Sequence, residues 1–295
     1  MSDNIAHAIS GAGGGIISMI LTYPLITVSS RLQVQKDTKG TDAYKGGIDT
    51  VVKILKNEGI TGLYSGLNSA IFGIALTNGI YYYFYESTKF IFERNKRSMS
   101  VVESMLAGAI AGSATVLVTN PIWVVNTRMT TRKESLDENE KSQPKRLGTI
   151  KTIMKIINED GFKAFWQGII PALILVINPI IQYTTFEQLK ARIEKLKKLG
   201  NFDFFLLGAI SKLIATGSTY PYIVVKSRMQ LRQSEYKSTW DGFQKIISNE
   251  GYNGLYKGII SKLIQSVFTA AFLFMYKEAL FKYTVKILAL RKKKI

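Results

Sequence analysis

The sequence predicts an all-α membrane protein of six transmembrane helices in three tandem repeats, with short amphipathic surface helices between them. Two observations carry this. A proline motif recurs at intervals of about a hundred residues: Tyr23-Pro-Leu-Ile-Thr-Val-Ser-Ser-Arg31, Asn120-Pro-Ile-Trp-Val-Val-Asn-Thr-Arg128 and Tyr220-Pro-Tyr-Ile-Val-Val-Lys-Ser-Arg228. In each copy an arginine stands seven residues after the proline, and the prolines lie 97 and 100 residues apart. The charges are also segregated: residues 5–30, 66–85, 104–127 and 168–186 carry none. Such runs approach or exceed the roughly 18–20 residues that cross a bilayer as a helix. Core helices of a soluble protein rarely run so long without charge.

The 295 residues divide into repeat 1 at 1–97, repeat 2 at 98–199 and repeat 3 at 200–295, packed as one transmembrane domain. Each repeat opens with a membrane run. Small residues four apart, Gly11/Gly15 and Gly108/Gly112, allow helices to approach closely in lipid. In the third repeat the pair becomes Gly208/Lys212. The run ends at Pro24, Pro121 or Pro221, where the ring removes a backbone hydrogen bond, so a hinge is expected.

A polar loop and an amphipathic stretch follow. Ile48, Val51, Val52 and Leu55 lie at helical spacing in repeat 1, Ile150, Ile153, Met154 and Ile157 in repeat 2, and Trp240, Phe243, Ile246 and Ile247 in repeat 3. These segments are too short and too charged to span, which places them flat at the interface. Each ends in acid-Gly, then four residues, an aromatic, one residue and Gly: Glu58-Gly59 to Gly66, Asp160-Gly161 to Gly168, Glu250-Gly251 to Gly258. The first glycine suits a left-handed helix end. The second starts another membrane run, which closes on Tyr85-Glu86 with Lys89, Phe186-Glu187 with Lys190, and Tyr276-Lys277 with Leu280. Both termini fall on one side. The amphipathic helices and the longest loop, Arg132–Lys151, fall on the other.

Composition excludes several chemistries. There is no cysteine, and the one histidine, His7, lies near the start of the first apolar run. No metal site, cofactor or covalent catalysis is expected, and no phosphate loop or dinucleotide fingerprint is present. The formal net charge of +18 gathers at the ends of apolar runs, as in Glu194–Lys198 and Arg291–Lys294. Anionic lipid headgroups and an anionic solute explain it better than nucleic acid. No signal or transit peptide is apparent.

These motifs resemble the mitochondrial carrier family over nearly the whole chain. The family marks are Pro-x-acid-x-x-base-x-base, acid-Gly-x4-aromatic-base-Gly, and aromatic-acid-x-x-base. The resemblance implies a pseudo-threefold bundle around a central cavity, worked by alternating access between two gated mouths, and no enzyme activity. Departures narrow it. Ile26, Trp123 and Ile223 replace the acid after each proline, and Ser29 and Asn126 replace two of the three bases, leaving Lys226. Apolar packing by these residues, braced by Gln33 and Gln230, is therefore expected to close this mouth largely without ion pairs. At the other mouth the family pairing would set Lys89 against Glu187 and Lys190 against Lys277, a like-charge contact unless Glu278 turns inward.

Pro121-Ile-Trp-Val-Val-Asn-Thr-Arg128 is most similar to the peroxisomal adenine nucleotide branch. The resemblance thus implies exchange of ATP against AMP or ADP across the peroxisomal membrane, with the mitochondrial inner membrane as the alternative location. Coenzyme A, FAD or NAD share the adenosine phosphate handle and stand as alternatives, as does a non-transporting scaffold. A monomer is expected, with anionic lipids and a peroxisomal import receptor as further partners. Between the gates, Gly73, Ile74, Asn78 and Tyr81 of the second helix are candidate substrate contacts. Ile174 and Leu175 could form an apolar slot for adenine with Asn178 reading its edge. Lys212, Lys226 and Lys262, with Gln265 and Ser266, could hold phosphate. Each lysine could instead snorkel to the interface. Arg31, Arg128 and Arg228 lie at the inner end, where headgroups or helix C-terminal carbonyls compete with substrate as partners.

Overall fold

The computed structural model describes residues 2–35, 43–93, 99–131, 148–195, 197–198, 200–231, 234–270 and 272, with the side chains of 2–12, 201 and 202 left aside. Every described element is helical or a turn. In chain order they are α1 (Ser2–Val34), α2 (Gly47–Glu58), α3 (Ile60–Leu63), α4 (Leu67–Phe92), α5 (Val101–Thr131), α6 (Thr149–Asp160), α7 (Ile169–Ile174), α8 (Ile177–Glu194), α9 (Asn201–Met229), α10 (Thr239–Glu250) and α11 (259–270). Four spans are long and apolar enough to cross a membrane: Gly13–Val34, Ile60–Phe92, Val101–Thr131 and Phe162–Glu194. The 29 residues of α9 have the length, but Asp203, Lys212, Lys226 and Arg228 dilute its apolarity. The 132–147 loop, with its acidic run, lies outside the described residues, as do the chain end and its basic cluster.

The helices form a ring of pairs. Each even span leans on the odd span of the next repeat: α4 on α5, α8 on α9, and α11 on α1. The last contact is polar, since Ser18 Oγ donates to the Thr269 carbonyl at 2.7 Å. The glycine before each even span explains the closeness. Gly66, Gly168 and Gly258 all have positive φ, between 72° and 85°. A methyl group on Gly168 would lie 3.1 Å from the Lys226 carbonyl, and one on Gly258 would lie 3.0 Å from Leu32 Cβ. Both the backbone conformation and the approach require glycine. The acid-Gly glycines also have positive φ, but ψ near 180° rather than the expected left-handed value. That region too is almost reserved for glycine.

The odd helices stay helical through Pro24, Pro121 and Pro221. A proline leaves the carbonyl four residues back without its intrahelical donor. At Pro121 that carbonyl is Leu117, and the Trp166 indole donates to it at 3.1 Å. The fourth span departs from the single expected run. It breaks at Leu175–Val176 because Pro179 has no N–H to offer, and bonds tighten there to the shorter spacing, Asn178 N to Leu175 O at 3.0 Å.

The amphipathic helices have apolar residues on two sides. Ile54, Ile156 and Ile246 are buried against the odd helices. Ile48, Val52, Ile150, Met154 and Trp240 stand exposed. This second row suits a helix lying in the headgroup boundary.

The most buried charges tie these helices down. Arg228 is fully buried and contacts Glu250 through both terminal nitrogens, at 2.5 and 3.0 Å. Burial alone would raise the Glu250 carboxyl, but Arg228 and Lys257 outweigh it and hold the group below the ordinary range. A depressed carboxyl contributes its full stability above the unfolded value and loses it as pH falls through the folded one. Thermal stability in detergent should therefore hold from pH 7 down to about 4.3 and fall below it. Glu250→Gln should cost about 3 kcal/mol at pH 7, since Arg228 is left buried and unpaired. A variant that melts with the wild type at pH 7 would refute this.

Candidate functional site

The end of the bundle beside the proline motifs is sealed by a threefold arrangement. Arg31 pairs with Glu58, Arg128 with Asp160, and Arg228 with Glu250. In each arginine the remaining Nε–H points to the next odd helix. Arg31 donates to the Thr130 carbonyl at 3.1 Å, Arg128 to that of Gln230 at 3.1 Å, and Arg228 to that of Gln33 at 3.0 Å. Thus α1 reaches α5, α5 reaches α9, and α9 reaches α1. These ion pairs each lie within one repeat, with acids from the acid-Gly motifs, while the bonds that join one repeat to the next run to neutral carbonyls; among the described residues no ion pair crosses between repeats at this mouth. Arg31 and Arg228, 2% and 0% exposed, are out of reach of headgroups.

The other residues assigned to this mouth divide. Gln33 donates to the Tyr220 hydroxyl at 3.3 Å and accepts from Ser227 at 3.1 Å. Gln230 accepts from Thr127 at 2.8 Å, while its amide nitrogen is buried without a partner. Asn126 donates to the Gly66 carbonyl at 2.9 Å and to Ser69 at 3.0 Å, joining α5 to α4. Ser29 turns back to the Ile26 carbonyl of its own helix, so it braces no neighbour. Ile26 and Ile223 sit in separate apolar clusters, each with its own repeat, rather than in one plug. Trp123 lies against Gly73, and its indole donates to Thr77 at 3.2 Å.

Among the described residues the opposite mouth shows no such ring. No ion pair joins Lys89 to Glu187 among the described residues; Glu187 pairs with Lys190 of its own helix at 3.9 Å. Glu86 is exposed. Lys277 and Glu278 lie outside the described residues. One mouth is thus latched, while the described charges of α4 and α8 at the other stand apart.

Between the mouths is a cavity of about 710 Å³, within the roughly 300–1,000 Å³ usual for small-molecule sites. Thr77, Tyr81 and Tyr85 of α4 form one wall, Gly108, Gly112 and Thr115 of α5 another. Leu175, Val176, Pro179 and Tyr183 complete it, and Lys226 reaches in from α9. The break in the fourth span brings Val176 so near that a methyl group on Gly112 would lie 2.8 Å from it. Among the described residues no carboxylate lines the cavity.

Lys212, Lys226 and Lys262 are half-buried, and none has an ion-pair partner among the described residues. Lys262 interacts electrostatically with both others, so the three share one neighbourhood. Unpaired cations gathered inside a membrane protein mark a path or site for anions. Of the other expected contacts, Leu175 lines the cavity. Ile174 is 37% exposed and Asn78 is exposed. Asn178 commits its amide nitrogen to α9, at 2.7 Å from Thr219 and 3.0 Å from the Ala215 carbonyl. Gln265 is buried against Thr269, and its carbonyl oxygen has no partner among the described residues. Thr77, Tyr85 and Tyr183 were not anticipated as cavity residues. Thr77 and Tyr85 stand four residues to either side of Tyr81 on α4, a spacing visible in the sequence, but an uncharged run gives no sign of which face meets the cavity.

The three repeats match the family model for mitochondrial carrier proteins at residues 2–96, 97–197 and 197–287. This chain belongs to the mitochondrial carrier family. Its members are transporters. The chain is 40% identical to a peroxisomal nicotinamide adenine dinucleotide carrier of Arabidopsis thaliana, over 96% of each chain. It is 38% identical to the peroxisomal membrane protein PMP47B of Candida boidinii, over 94% of this chain and 86% of that one. It is also 31% identical to peroxisomal adenine nucleotide carrier 1 of Glycine max, over 98% of this chain and 95% of that one. With these relatives and its apolar spans, the chain is a multi-pass carrier of the peroxisomal membrane.

The Trp123 indole bond replaces a charge contact by a neutral one. Trp123→Phe keeps a ring against Gly73 and loses the donor, so it should cost about 1 kcal/mol in thermal unfolding. Trp123→Asp should cost more, because no lysine stands at Asn126 to receive the carboxylate. Equal melting of Trp123→Phe and the wild type would show that the bond contributes nothing.

Proposed function

We propose that this carrier exchanges adenosine phosphates across the peroxisomal membrane, ATP against AMP or ADP. The observation that supports this most is the group of three lysines without acids. A phosphate chain supplies the negative charge that the protein withholds, and charge-assisted bonds to phosphate are strong. The apolar wall at Leu175 and Val176 suits a base, and the cavity has room for a nucleotide. The latched mouth and the opposite mouth with its charges apart fit one state of an alternating-access cycle, with Pro24, Pro121 and Pro221 as hinges and Glu86, Lys89, Glu187, Lys190 and Lys277 as the second gate.

A second reading has its own support. The relative at 40% identity is named for nicotinamide adenine dinucleotide. A dinucleotide presents the same adenosine phosphate handle plus another ring. Coenzyme A and FAD share the handle as well. A scaffold without transport is disfavoured by the unpaired lysines, whose burial would cost stability for no return.

Purified protein in liposomes, loaded with labelled ATP and challenged with AMP, ADP, NAD, coenzyme A and FAD, separates these readings. Rapid exchange with AMP and ADP and slow exchange with the rest is the expected outcome. Exchange with NAD alone would move the assignment to the dinucleotide, and no exchange with any of them would end the proposal. Lys226→Ala should lower nucleotide exchange about tenfold, the loss of one charged hydrogen bond, with thermal stability unchanged.

A further inference from the structure

We infer that Tyr81 and Tyr85 form a stacking subsite that selects substrates carrying a planar ring. The inference rests on the nucleotide reading above and assigns to α4 a role in choosing among phosphorylated anions. Both tyrosines line the cavity, one helical turn apart. Their rings are stacked, with centroids 5.9 Å apart and planes 15° from parallel.

An i,i+4 aromatic pair is ordinary packing when it faces a core. Three observations set this pair apart. First, it faces an open volume, with Tyr183 of α8 on the same cavity. Second, neither hydroxyl has a hydrogen-bond partner among the described residues, whereas Tyr23 and Tyr220 use theirs to donate to the Ser65 and Lys257 carbonyls. Tyr81 and Tyr85 keep theirs available to a ligand. Third, α5 meets Tyr81 with its smallest residue: even a methyl group on Gly108 would only just reach the hydroxyl, in ordinary contact at 3.4 Å.

The cavity is therefore two-ended in chemistry. Lys226 supplies positive charge at one part of its wall, and the tyrosine pair supplies aromatic faces at another. A ligand that satisfies both has phosphate at one end and a flat ring at the other. Stacking tolerates any base, because every base has a π-face. The subsite thus favours nucleotides over bare polyphosphate without deciding among bases, and it offers the second ring of a dinucleotide a place distinct from the slot at Leu175.

The test compares inhibitors with and without a ring. Exchange of labelled ATP in liposomes is titrated with ATP and with inorganic tripolyphosphate, for the wild type, Tyr81→Leu and Tyr81→Phe. Tyr81→Leu should weaken inhibition by ATP about tenfold, the scale of one lost stack, and leave tripolyphosphate inhibition unchanged. Tyr81→Phe should keep most of the preference for ATP, since the ring remains. If Tyr81→Leu weakens both inhibitors equally, the residue is structural and the inference fails. If it weakens neither, the inference fails while the nucleotide reading stands. Should the wild type exchange no adenosine phosphate, the functional reading falls and takes this subsite with it.

Discussion

The structure depends on what each odd-helix arginine does with its guanidinium. A buried charge without a partner costs several kcal/mol, so Arg31, Arg128 and Arg228 must be satisfied in full. In Arg31 and Arg228 both terminal nitrogens take the carboxylate of the same repeat's amphipathic helix; in Arg128 one takes Asp160 and the other the Gln167 amide oxygen. The Nε–H takes a carbonyl from the next repeat. One side chain thus fastens a surface helix to its own span and that span to its neighbour. Planar, rigid donors make this possible; a lysine has the charge without the fork. Because the bonds run round the ring, no repeat can leave without breaking contacts on both sides.

This division of labour explains the free lysines. The acid-Gly acids are spent on the arginines, and the proline motifs carry none. The third repeat shows the limit: Glu250 accepts from both Arg228 and Lys257, the latter at 2.8 Å, and nothing remains for Lys226. Positive charge is left where the cavity needs it because negative charge has been moved to the edge of the bundle. The same displacement leaves the latched mouth with bonds that are strong within a repeat and modest between repeats. Neutral acceptors such as a carbonyl separate at lower cost than carboxylates do. A mouth held in this way can open without dissolving the amphipathic helices.

Much of this was legible in the sequence, and the gaps have physical causes. Three copies of proline-to-arginine spacing were enough for the repeat, the charge-free runs for the spans, and the three motifs together for the family, since each reflects local chain chemistry. The second glycine of each acid-Gly motif was readable as a helix start, and its positive φ and tight contact with the next repeat bear that out. The arginine latch was not readable. Glu58 lies 27 residues from Arg31, and the Thr130 carbonyl lies in another repeat. Long-range pairing of this kind leaves no periodicity in the chain. Lys226 was readable as a charge in an apolar run, but the company it keeps was not, because helix rotation decides which of Asn78, Tyr81 and Tyr85 meets the cavity.

The second repeat shows where the symmetry yields. Its pre-proline residue is Asn120, where the other two have Tyr23 and Tyr220. The tyrosines stack on Tyr64 and Tyr256 at 6.3 and 6.1 Å, and each hydroxyl caps a carbonyl near the even span's start. Asn120 caps the corresponding carbonyls of Phe165 and Gln167 with its amide, and has no ring to offer. Trp166 therefore swings away and serves the Leu117 carbonyl that Pro121 leaves free. Within the same span the helix breaks at Leu175–Val176, while Trp123 holds α4 in place of a charge pair. Of these departures, the break at Leu175–Val176 lines the cavity, and Trp123 holds Thr77 of its wall.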